Sequence, residues 1–271
     1  MAAHGPLDHV LDHPTLEFPW WTGPSHQMEI HLPRILGFQI TRFMVMELVV
    51  AVLLFAILAP IVRHIRRNPV SKGPLANAFE ALFLFIRDDI ARPAIGGHGA
   101  DRFLPFLWTV FFFVLFANLL GMIPGMASPT GNVNVTAVLA VATMAVVVGS
   151  GVREYGPRKF LTNLVPAVDV PWPLNYAFWP LMFVIEFAGL LIRHLVLAVR
   201  LFANMFAGHV VLAVILGFIL IVQGWLFWVV MPASIAGVVA LSLLELLVAL
   251  IQAYIFTYLS ALFIGMSVHP H

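Results

Sequence analysis

Between Leu181 and Val222 the chain runs without a proline or a polar turn, and almost every residue is apolar. Counted from Pro180, the run is about 43 residues, or ~65 Å of helix at 1.5 Å per residue. A hydrocarbon core is ~30 Å thick and needs ~20 residues to cross. Tilts of up to ~40° do not absorb the excess. The spacing predicts one long helix, strongly inclined to the membrane normal. A second overlong run, about 233–267, follows the linker QGWLFWVVMP (223–232), and the two are expected to form a hairpin.

The rest of the chain reads as membrane too. Charged residues make up 10% and hydrophobic residues 61%, against roughly 25% charged in soluble domains. Spans are expected at about 43–62, 103–120 and 133–152. A Pro/Gly-rich break, GMIPGMASPTGN (121–132), separates the last two. Leu75, Phe79, Leu82, Phe83, Ile86 and Ile90 recur at helical spacing, so 75–90 is expected to be an amphipathic helix on the cytoplasmic leaflet. A re-entrant hairpin is the competing reading there. The first span ends in Arg63, Arg66 and Arg67, with Lys72 beyond. The positive-inside rule makes that end cytoplasmic and leaves the N-terminus outside.

The expected fold is therefore an all-α polytopic membrane protein. Residues 1–41 are an extracytoplasmic tail without an apolar signal region, and 42–271 form a single membrane domain. Net charge is +1, which gives no electrostatic case for nucleic acid. The absence of cysteine excludes disulfides and thiolate chemistry. No duplicated halves are visible, which weighs against repeat-built carriers.

Polar residues inside these runs carry the functional signal. Glu186, Arg193 and Arg200 are seven apart and share one helix face, and Asn204 stays near it. His209 points almost oppositely. On the last run Glu245 and Gln252 share a face. In an antiparallel pair, facing residue numbers have a nearly constant sum. Arg200 with Gln252 and His209 with Glu245 both give ~452–454, so one register brings both pairs together. Ionisable groups at membrane depth mark ion or proton pathways by default.

AVRLFANMFAGH (198–209) followed by LLELLVALIQAYIF (243–256) resembles subunit a of the F-type ATP synthase. NLLGMIP (118–124) and PTGNVNVTAVLAV (129–141) extend the likeness. The resemblance implies a non-catalytic stator subunit beside a rotating c-ring, with the b stalk and F1 as further partners. It implies a bacterial inner-membrane location, no cofactor, and ATP chemistry elsewhere in the complex. Arg200 matches the essential arginine, which would face a c-ring carboxylate. Asn204, His209, Glu245 and Gln252 match an outer half-channel, and Glu186 the inner one. Gly121 stands where some relatives carry an acid.

Competing classes are a stand-alone transporter binding an anion at Arg200 and an intramembrane enzyme built on Ser150. In the tail, His9 and His13 are four apart, as a helical metal pair would be, although Pro14 favours an exposed polar segment. Trp20 and Trp21 are expected at the outer interface.

Overall fold

A computed structural model describes residues 41–67, 73–123, 128–165 and 175–269, together with four two-residue strands in the tail. His9, His13, Trp20 and Trp21 lie outside the described residues, as does most of 1–41. The strands pair as two small antiparallel ladders, β1 (Thr15–Leu16) with β2 (Ile30–His31) and β3 (Arg34–Ile35) with β4 (Phe38–Gln39). Everything else with regular structure is helical: α1 (Arg42–Arg67), α2 (Pro74–Phe85), α3 (Arg92–Ile95), α4 (Leu104–Gly121), α5 (Val133–Tyr155), α6 (Pro157–Asn163), α7 (Asn175–Ile221) and α8 (Phe227–Val268). Among the described residues, five of these are long and apolar enough to cross a membrane: α1, α4, α5, α7 and α8.

The membrane helices fall where apolar length dictated, and the differences lie at their ends. α7 has 47 residues and begins ahead of Pro180, which sits inside it. α8 has 42 residues and begins ahead of Pro232. Each proline is the sixth residue of its helix, where it forfeits one backbone bond, and the helix continues through it. The turn is consequently shorter than the 223–232 linker. Gln223 is extended, Gly224 takes φ 76°, and a 3₁₀ turn over Gly224–Leu226 leads directly into α8.

The amphipathic stretch is interrupted. α2 ends at Phe85 and passes into a π-helical turn over Ile86–Ala91 before the short α3. That turn keeps Ile86 and Ile90 fully buried. It leaves Asp88 exposed between Arg87 at 3.0 Å and Arg92 at 2.8 Å. The hydrogen bond from Arg87 holds the Asp88 carboxyl below the ordinary carboxylate range. The indole N–H of Trp108 donates to the Phe83 carbonyl at 3.2 Å, tying α4 to α2.

The chain divides into two compact units. One contains 65–111, 137–199 and 255–271. Its packing is set by small residues. A Cβ on Gly265 would strike the Ala94 carbonyl, and one on Gly151 would strike Phe160 and Ser267. Ser267 Oγ donates to the Val147 carbonyl at 2.7 Å and Tyr155 Oη to that of Val268 at 2.6 Å. His194 is 3% exposed, its Nδ1 is 2.9 Å from the Leu190 carbonyl, and its ring lies against Phe263.

The other unit contains 1–64, 112–136 and 200–254. Val50 of α1 packs on Ala117 and Leu120 of α4, flanked by Leu53, Phe113 and Phe116. A buried polar knot closes the same, C-terminal end of α4. Thr130 Oγ1 donates to Asn118 Oδ1 at 2.7 Å, and Ser128 Oγ is 2.8 Å from Thr130 Oγ1. Gly121 is pressed onto Ser128, where a Cβ would lie 2.9 Å from its Cα. This close approach is the physical reason the chain has glycine there.

Candidate functional site

Five of the six sequence-predicted site residues fall in this second unit, on facing stretches of α7 and α8. On α8, Ala249 and Ala253 are 1% and 0% exposed. Their short side chains let the two helices approach closely, as small residues do in membrane interfaces. Gln252 between them is 3% exposed. Its side-chain amide donates to the main-chain carbonyl of Arg200 at 3.0 Å. The bond goes to the backbone of the arginine and leaves the guanidinium uncommitted.

About two turns away, Glu245 packs against the helix surface at Gly208. A Cβ there would meet the carboxylate oxygen and come within 3.0 Å of Cδ. Further on, a Cβ on Gly237 would lie 3.8 Å from Ile215 Cγ2. The facing pairs 200/252, 208/245 and 215/237 add to ~452, which fits an antiparallel register.

Arg200 is half-buried, and among the described residues it enters no ion pair. Asn204, one turn on, is exposed. The surface around it is apolar and small: Val199, Ala203, Ala207 and Val211 are all exposed. In an isolated chain this is an uncovered stripe at i, i+4 spacing that carries one guanidinium and one amide.

His209 turns away from that stripe, as nine residues of helix require. Its Nε2 is buried and has no hydrogen-bond partner among the described residues. Glu245 reaches the neighbouring Gly208. Glu186 belongs to the first-described unit, where it is half-buried.

Sequence reasoning overlooked Arg42, which is 4% exposed. The apolar run was drawn from Phe43, one residue past it, and a charge at the boundary of a span reads as an interface residue. Asn118, fully buried with Nδ2 unpaired among the described residues, was also passed over. The signal was available in both cases: a strong hydrogen-bonding group directly abutting, or inside, an apolar run. No group of three or more metal-ligating side chains occurs among the described residues.

Known proteins resemble this chain along most of its length. The sequence model of the family described as ATP synthase A chain matches residues 44–265. A Chloroherpeton thalassium protein named ATP synthase subunit a is 44% identical over 246 residues, spanning 88% of this chain and 71% of its own length. One from Myxococcus xanthus with the same name is 40% identical over 274 residues, spanning 97% of this chain and 88% of its own. A third, ATP synthase subunit a 2 of Chlorobaculum tepidum, is 38% identical over 267 residues, spanning 96% and 72%.

Proposed function

Given that this chain belongs to the ATP synthase A chain family, as a subunit a, we propose that it is the proton-conducting stator of a rotary motor. It works within an F1Fo complex against a ring of c subunits, is held by the b stalk, and leaves ATP chemistry to F1. Its membrane part acts as one domain in a bacterial inner membrane, with the N-terminus outside and α7–α8 inclined along the ring.

The observation that carries the reading is the state of Arg200. Its backbone is fastened by Gln252 while its charged group stays unpaired among the described residues, on an uncovered stripe of small side chains. Bare guanidinium in lipid is penalised by a few to more than ten kcal/mol. A passing carboxylate relieves that penalty. At ~4 Å and an effective dielectric of ~20 the attraction is about 4 kcal/mol. This is enough to expel the proton from a ring site that arrives protonated.

The proton then leaves toward Glu186 and the inner side. The next site takes up a proton from the outer side through His209, Glu245, Asn204 and Gln252. The fixed charge between the two routes discourages direct leakage. Arginine suits the position because it stays protonated when buried, whereas lysine does not.

The deciding experiment is Arg200→Ala in the assembled complex. The expected outcome is an intact complex without proton-driven ATP synthesis. Synthesis at the wild-type rate would overturn the reading. Uptake of an anionic substrate by the purified chain without a ring would favour a carrier instead.

A further inference from the structure

The apolar run that forms α5 ends abruptly. No Asp, Glu, Lys or Arg occurs between Phe103 and Val152. Arg153 is the first charge after them, exposed in the last turn of α5. A cation that terminates a membrane span stands at headgroup depth. Gly156, with φ 79°, then breaks the helix, and Pro157 opens α6 at once.

α6 does not lead away from the membrane. The Phe160 ring and Ser267 of α8 both pack on Gly151, which lies just inside the end of the apolar run. Tyr155 Oη, donating to the Val268 carbonyl at 2.6 Å, fastens the same corner to the last turn of α8. The chain therefore doubles back, and Arg158 and Lys159 stand next to a residue seated at the depth of Gly151. Both cations are exposed, and Leu161 beyond them is 47% exposed. Cations beside an uncovered apolar side chain at the end of a span are the composition of a lipid-contacting interface.

The charge of this corner is uncompensated. Residues 153–159 carry three cations and one acid, Glu154. Among the described residues, Arg153, Arg158 and Lys159 enter no ion pair. Arg87 and Arg92, in the same unit, contrast with them. They share Asp88 at 3.0 and 2.8 Å, and Arg92 also lies 3.7 Å from Asp101.

We propose that the α5–α6 corner is a binding site for an anionic phospholipid. Arg153, Arg158 and Lys159 take the phosphodiester and headgroup, and Leu161 meets the acyl chains. Cations at the membrane surface attract anionic lipid. Phe160 and Tyr155 hold the corner in place beforehand, so little ordering is needed on binding. An acidic protein segment complements the charge alone, whereas a lipid complements the charge and the leucine.

The test uses the assembled complex in phosphatidylcholine vesicles that carry a photoactivatable phosphatidylglycerol in both leaflets, so sidedness does not enter. Labelling of the peptide 153–163 is expected to exceed that by a photoactivatable phosphatidylcholine at least about tenfold. Unlabelled phosphatidylglycerol is expected to compete, and inorganic phosphate is not. Combining Arg153→Gln, Arg158→Gln and Lys159→Gln should bring labelling down to the phosphatidylcholine level. Arg92→Gln should leave it unchanged.

Equal labelling by the two probes overturns the proposal, as does labelling that survives the triple substitution. Displacement by inorganic phosphate, or cross-links from 153–163 to protein in place of lipid, overturns it in favour of those occupants. If the triple variant fails to assemble, salt decides in the unaltered chain. The phosphatidylglycerol excess is expected to fall severalfold between about 50 and about 500 mM salt, and an excess indifferent to salt rules the site out.

Discussion

The side-chain amide of Gln252 donates to the main-chain carbonyl of Arg200 at 3.0 Å, from a position 3% exposed between two buried alanines. This bond fixes the height of the arginine on α7 relative to α8 without touching its charge. A glutamine bound to the guanidinium would compete with any incoming carboxylate. One bound to the backbone does not.

Gln252→Leu keeps the volume and removes the donor. A single hydrogen bond of this kind contributes about 1 kcal/mol, so the complex is expected to assemble. The loosened register should lower ATP-driven proton pumping about fivefold if ~1 kcal/mol is lost from the transfer step. Gln252→Glu, which presents an acceptor to a carbonyl unless protonated, should be worse than leucine. Pumping in inverted vesicles checks both.

Gly208 is the floor on which the Glu245 carboxylate rests. In Gly208→Ala the new Cβ would collide with the carboxylate oxygen. Glu245 has free rotamers, so the side chain is expected to move and the fold to survive. Proton flux should fall several-fold while assembly stays normal. Gly208→Ala with unchanged flux would show that the position of Glu245 is immaterial.

Gly121 tests the packing beneath the polar knot. Gly121→Asp would add an acid there, but its Cβ falls 2.9 Å from the Ser128 Cα. Backbone cannot yield as a flexible side chain can. Overpacking of this sort costs about 1–3 kcal/mol, and the expected result is a lowered melting temperature or poor assembly. Ser128→Gly in the same chain should recover only part of the loss, because the main chain at 128 still stands in the way.

Much of this molecule is written in local pattern. α4 and α5 lie within a few residues of the spans read from apolar length, because the membrane requirement acts on consecutive residues. The seven-residue spacing of Glu186, Arg193 and Arg200 assigns a shared face by helical geometry alone. The candidate site residues were legible for the same reason, since ionisable groups in apolar runs stand out. Helix starts were less legible. Pro180 and Pro232 looked like boundaries, yet each helix begins five residues earlier and runs through its proline at the loss of one backbone bond. The π-turn at Ile86–Ala91 had no visible signal, because the periodicity of its buried isoleucines also suits an ordinary helix.

The sequence by itself determined the number and length of the membrane helices and which ionisable residues stand inside them. Those properties follow from hydropathy and a fixed rise and turn per residue. Only the tertiary structure decided partners: Gln252 on a carbonyl and Glu245 on Gly208. Partnership depends on how closely helices approach, and that distance is set jointly by Ala249, Ala253 and Gly208 on two different helices. No single stretch of sequence contains it.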